Sequence, residues 1–102
     1  MPVTERRAAP RFHLHAPVEI EWGSEILRAE ATDISLNGIF LRISDPLWVG
    51  ASFRVRILTA QPLEVDVVVR RVTPREGMGV SFLELDPGAA QQLAALLKEI
   101  GG

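Results

Sequence analysis

Polar and apolar residues alternate along most of this chain. From Phe12 the even positions read Phe12, Leu14, Ala16, Val18, Ile20 and Trp22, with His13, His15, Glu19 and Glu21 between them. A period of two predicts a strand with one wet face. "WGSE" at 22–25 predicts a hairpin turn, and "ILRAEATDIS" resumes the alternation with Leu27, Ala29 and Ala31 opposite Arg28, Glu30 and Thr32. "GIFLRI" at 38–43 predicts a third strand, and "DPLWVG" at 45–50 breaks it with proline and glycine. Phe53, Val55 and Ile57 mark a fourth strand, Leu63, Val65, Val67 and Val69 a fifth, and "MGVSFLEL" after the turn "TPREG" a sixth. Six short strands on tight connections favour an antiparallel barrel or sandwich, an all-β class.

At the end of the chain the period changes. Asp86 suits an N-cap and Pro87 the first helical position, while Leu93, Leu96, Leu97 and Ile100 recur at helical spacing up to Gly101, placed to stop the helix. A helix over 87–100 follows, and its apolar stripe must be covered by an end of the barrel or by a second copy of the chain, which leaves a homodimer open. There is no internal repeat and no low-complexity segment. The expected organisation is a flexible basic arm, residues 1–11, followed by one β domain with its helix, residues 12–102.

Composition narrows the function classes. At 102 residues and 47% apolar the chain fits a single domain. A formal charge of -2 argues against general binding of nucleic acid or anionic membrane, so an anion site has to be local. The absence of cysteine excludes disulfides and thiolate metal sites. No apolar stretch is long enough to cross a bilayer, and a soluble, cytoplasmic protein without membrane insertion is expected. His13 and His15 share a strand face but lack a recognisable third ligand, so no metal is expected. A Ser35–histidine–Asp33 triad lacks the glycine-rich nucleophile turn and oxyanion hole that hydrolysis requires; no enzyme is expected. Trp22 and Trp48 fit either an interaction surface or end caps of a small barrel.

Two stretches stand out as candidate chemistry. "RRAAPR", residues 6–11, gathers Arg6, Arg7 and Arg11 around Pro10, which disfavours a helix at Ala9 and predicts an extended arm. Guanidiniums on such an arm can fork phosphate oxygens and lie flat on a nucleobase, although a solvated tail has the same composition. "DISLNG", residues 33–38, puts Asp33 and Ser35 on one side of an extended segment, with Gly38 where the backbone needs close approach or an unusual dihedral. A carboxylate suits the paired N–H donors of guanine, although the same residue types also build ordinary turns.

Arg-x-x-x-Arg before the first strand, followed one hairpin later by Asp-x-Ser-x-x-Gly, resembles the PilZ domain family, bacterial receptor modules for cyclic di-GMP. Gly79, Val80, Ser81 and Phe82 are similar to the Gly-Val-x-Phe of a late strand in that family. The resemblance implies a six-stranded antiparallel β-barrel with a C-terminal helix and a role in second-messenger signalling of the kind that governs motility and biofilms. It implies that Arg7 and Arg11 hold the phosphates and stack on the guanines, that Asp33 and Ser35 contact a guanine, and that Gly38 keeps the third strand open to the ligand. Arg6 stands where arginine goes with an intercalated pair of ligands and a bulky apolar residue with one. Cyclic di-GMP is then the ligand, no further cofactor is implied, and ordering of the arm signals to an unidentified effector protein. The alternative is a protein-interaction adaptor of the same family with little nucleotide affinity.

Overall fold

A computed structural model describes residues 10–101. Six antiparallel strands close into a barrel in the order β1-β2-β3-β6-β5-β4. They are β1 (Phe12–Trp22), β2 (Glu25–Ile34), β3 (Gly38–Arg42), β4 (Ser52–Ile57), β5 (Leu63–Thr73) and β6 (Gly77–Phe82), and one helix, α1 (Pro87–Gly101), follows. The all-β class with a C-terminal helix, expected from the alternation and the family resemblance, is the observed architecture.

The inward set is the one the period of two selects. Leu14, Ala16, Val18 and Ile20 of β1, Phe53, Val55 and Ile57 of β4, and Leu63, Val65, Val67 and Val69 of β5 are all buried. Across the barrel, Ile34, Ile39, Val80 and Val69 pair in register from strand to strand and form one buried layer. Closure gives every strand a neighbour on both sides, although β2 outruns β3 before Glu30, and burial of these branched side chains stabilises the barrel by roughly 1.5–3 kcal/mol each.

Irregularities displace the simple alternation at two places. β2 carries an extra residue against β3 between Ala31 and Asp33, and β5 carries one against β6 between Val69 and Arg71. Each bulge moves the inward side by one position, so that Ile34 is buried where straight alternation would bury Asp33, and Val72 turns inward after Val69. β2 ends at Ile34, and Ser35 belongs to the following turn. β6 likewise stops at Phe82, short of Leu85, and Phe82 N and Leu83 N donate to Asn37 O and Asp66 O.

The β1–β2 turn is a two-residue loop with Gly23 at φ 63° and Trp22 opposite Glu25, a II′-type hairpin. Trp22 sits edge-on to Phe53, ring centroids 6.1 Å apart, and closes that end of the barrel. Trp48 stacks edge-on to Trp22 at 5.2 Å but stays 61% exposed.

In α1, Asp86 Oδ1 accepts from Ala89 N at 2.7 Å, the N-cap expected from the sequence. Leu93 and Leu97 are buried, and Gln92 Nε2 donates to the carbonyls of Gln61 and Pro62. The apolar stripe is therefore covered by the chain's own barrel, through β1 and β5. The helix runs through Gly101 instead of stopping before it. A Cβ there would lie 2.7 Å from the Phe12 ring, so this glycine makes room for packing. Among the described residues no helix is long and apolar enough to cross a membrane.

Candidate functional site

The turn after β2 is held from inside by Ser35. Its hydroxyl accepts from Asn37 N at 3.1 Å and Gly38 N at 3.3 Å, while Ser35 N donates to Gly38 O at 2.9 Å. Ser35 is 2% exposed, and Phe82 N donates to Asn37 O, tying the turn to the end of β6. The hydroxyl thus faces the loop and not the surface that Asp33 occupies, a difference from the expected shared side that arises because the extended strand ends at Ile34 and Ser35 already belongs to the turn. Gly38 takes the close-approach option: a Cβ would run into the carbonyl oxygen of Val80 across the β3–β6 ladder.

Asp33 stands just before this turn on the outer face of β2. Arg11, immediately before β1, directs Nε and Nη2 at the same oxygen, Asp33 Oδ1, at 3.0 and 2.6 Å. The two motifs, separated by 22 positions, thus meet at one carboxylate. Both side chains keep access to solvent, 49% for Arg11 and 33% for Asp33. Oδ2 makes no hydrogen bond among the described residues, which leaves it able to accept from a ligand. Arg6 and Arg7 lie outside the described residues.

Register extends the site around the barrel. His13, Asp33, Phe40, Gly79 and Arg71 are successive cross-strand partners on β1, β2, β3, β6 and β5. Two glycines of β6 make that row possible. A Cβ at Gly77 would run into the carbonyl oxygen of Leu41 and lie 2.8 Å from the Phe40 ring, and Arg71 lies across Gly79, its Nε 3.3 Å from where a Cβ would be. Next to it, Arg70 Nε donates to Ser81 Oγ at 3.3 Å. From Asp33 to Arg71 the row crosses three strand gaps, about 14 Å at about 4.8 Å each. Phe40 and Arg71 were not singled out in the sequence, because nothing near them resembles a motif. The glycine spacing of "GMG" at 77–79 is the one local signal of open space on that face.

The histidines form no metal centre. His15 Nδ1 lies 3.8 Å from Glu30 Oε2, both exposed, and no cluster of three or more potential metal ligands occurs among the described residues.

The PilZ domain model matches residues 5–99. This chain belongs to the PilZ domain family. In the solved structures it is similar to the PilZ domain of YcgR from Escherichia coli with c-di-GMP, with a TM-score of 0.82 and 18% identity over 95% of this chain and 92% of that one. It is also similar to the Bacillus subtilis inhibitor of motility, MotI/DgrA, with a TM-score of 0.75 and 27% identity over 95% of this chain and 50% of that one. The K. pneumonia MrkH–c-di-GMP complex gives a TM-score of 0.80 and 21% identity over 95% of this chain and 53% of that one. The chain thus spans about half the length of MotI/DgrA and MrkH. No curated protein matches it in sequence.

Proposed function

We propose that this chain is a receptor for cyclic di-GMP, bound between the arginines of residues 6–11 and the face of the barrel around Asp33. The observation that carries this is the Arg11–Asp33 pair, because it joins the two motifs at a solvent-facing carboxylate that keeps one oxygen to spare. Family membership supports it, as do similar PilZ structures determined with c-di-GMP.

The chemistry follows from the donors and acceptors present. Asp33 accepts from N1–H and the exocyclic amine of one guanine, and Arg11 exchanges its carboxylate partner for a phosphate oxygen without leaving the site. Arg7 clamps the phosphates from the arm, and Arg6 stacks on an exposed guanine or neutralises the charge of a second ligand. Ser35 and Gly38 serve by fixing the turn that presents Asp33. Phe40 and Arg71 offer an aromatic edge and a flat guanidinium farther along the same row. Ligand binding draws residues 1–11 onto the barrel, and the covered arm is the surface an effector protein reads.

Equilibrium binding of cyclic di-GMP to the parent chain and to Arg11→Ala and Asp33→Ala tests this. Loss of affinity in both variants, with the fold retained, supports the receptor. No binding by the parent at high micromolar ligand assigns the chain to the adaptor class instead.

A further inference from the structure

A second charged surface lies away from Asp33, at the end of β3 remote from the 35–38 turn. Arg28 of β2, Arg42 of β3 and Arg75 of the β5–β6 turn line one open concavity of about 480 Å³. None of the three makes an ion pair among the described residues. By contrast, Arg54 and Arg56 each reach two carboxylates across β1, β4 and β5. Even Glu30, the cross-strand partner of Arg42, lies within ion-pair distance of His15 and not of Arg42. In a chain with more acids than bases, three arginines thus share one hollow with only two carboxylates, Glu30 and Glu76, on its wall.

Backbone strain singles out the same place. Glu76 N donates to Thr73 O at 3.0 Å, closing a turn in which Pro74 and Arg75 are the central residues. Arg75 has φ 65° and is the one non-glycine residue with positive φ among those described. The type II turn favours glycine or asparagine there, so the arginine sits at a conformational cost in a conformation imposed by Pro74 and the Thr73–Gly77 pairing.

The concavity also adjoins a free strand edge. β3 pairs with β2 only from Glu30 onward, whereas β2 continues back to Glu25 with β1 alone beside it. In an antiparallel pair closed by a two-residue turn at Trp22 and Glu25, the backbone N–H and C=O of Ile26 and Arg28 point away from β1. Ile26 is also one of the exposed large apolar side chains. An edge of this kind is a template for an added strand.

We propose that this face docks an extended, acidic segment of a partner protein, which adds beside β2 at Ile26–Arg28 and sets its carboxylates against Arg28, Arg42 and Arg75. A free phosphate fits less well, because the hollow is open to water and Glu30 and Glu76 line it too. Those two carboxylates and the half-buried Ala29 and Ile43 suit a peptide of mixed side chains. The inference is independent of the cyclic di-GMP reading, since it shares no residue with that site.

The probe is the peptide acetyl-Glu-Val-Glu-Val-Glu-Val-Glu-amide, titrated into the full isotope-labelled chain and followed by NMR. Saturable shifts are expected for the side-chain Nε signals of Arg28, Arg42 and Arg75, with slowed amide exchange at Ile26 and Arg28 and little change at Arg54 and Arg56. Arg75→Gly should weaken the peptide at least fivefold while raising the thermal midpoint, because it removes both the strain and the charge. Four results would each overturn the proposal: no saturation, equal binding of the Lys-Val counterpart, displacement of the peptide by equimolar inorganic phosphate, or unchanged affinity in Arg75→Gly.

Discussion

Arg11 and Asp33 share a single carboxylate oxygen, Oδ1, approached by both Nε and Nη2 of the arginine. An exposed pair of this kind contributes only about 0–1 kcal/mol to folding. Its importance lies in position: it holds the last arginine of the arm over the outer row of the barrel. Arg11→Ala and Asp33→Ala should each leave the denaturant midpoint nearly unchanged and cost about 1.5–3 kcal/mol in cyclic di-GMP binding, the range for a lost charged hydrogen bond. Equal destabilisation of fold and binding would mean that the pair is structural.

Ser35 is expected to behave differently. Its hydroxyl satisfies two backbone N–H groups inside a buried turn, so Ser35→Ala should lower stability by about 1–3 kcal/mol in chemical denaturation and speed amide exchange at Asn37 and Gly38. Weaker ligand binding would accompany that loosening. A variant as stable as the parent that binds poorly would return Ser35 to direct contact with the ligand.

Gly79 and Arg71 form a further testable pair. Arg71→Ala, on an exposed strand position, should weaken cyclic di-GMP without unfolding the barrel. Gly79→Val should do the same by displacing the Arg71 side chain that lies over it. Binding measured for both variants and for the double variant should show non-additive losses, because the second change removes what the first has already disturbed.

The sequence carried the strands and the helix because their signals are local. Alternation from Phe12 to Trp22 and from Leu63 to Val69 needs no knowledge of partners, and neither does the Asp86–Pro87 start of α1. What it did not carry depends on pairing. The bulge in β2 decides that Ile34 turns inward in place of Asp33, and it arises from how β2 meets β3. The row that joins Asp33 to Phe40 and Arg71 exists only once β6 lies between β3 and β5. The Arg11–Asp33 contact was foreshadowed by the two motifs, but not that the residues would bind each other.

Residues 1–11 are expected to close over the ligand. Trypsin cleavage after Arg6 and Arg7 should slow at saturating cyclic di-GMP, while cleavage at Arg75 in the β5–β6 turn serves as the internal control. Unchanged rates at saturation would remove arm closure from the mechanism.

Arg6 bears on stoichiometry. Calorimetric titration of the parent should reach about two cyclic di-GMP per chain, and Arg6→Leu should bring that toward one while preserving binding, because it deletes one guanidinium and leaves Arg7, Arg11 and Asp33 in place. A parent that titrates one to one would discard the paired-ligand arrangement.

The central claim is that Asp33 reads guanine, and the most direct measurement is a side-by-side isothermal titration of the unmodified chain with cyclic di-GMP and cyclic di-AMP. Asp33 accepts from guanine N1–H and its exocyclic amine, whereas adenine turns an unprotonated N1 toward the carboxylate, acceptor against acceptor. Saturable heat with cyclic di-GMP and at least a hundredfold weaker response to cyclic di-AMP is the predicted result. Equal affinity for the two, or no heat with either, would contradict the account.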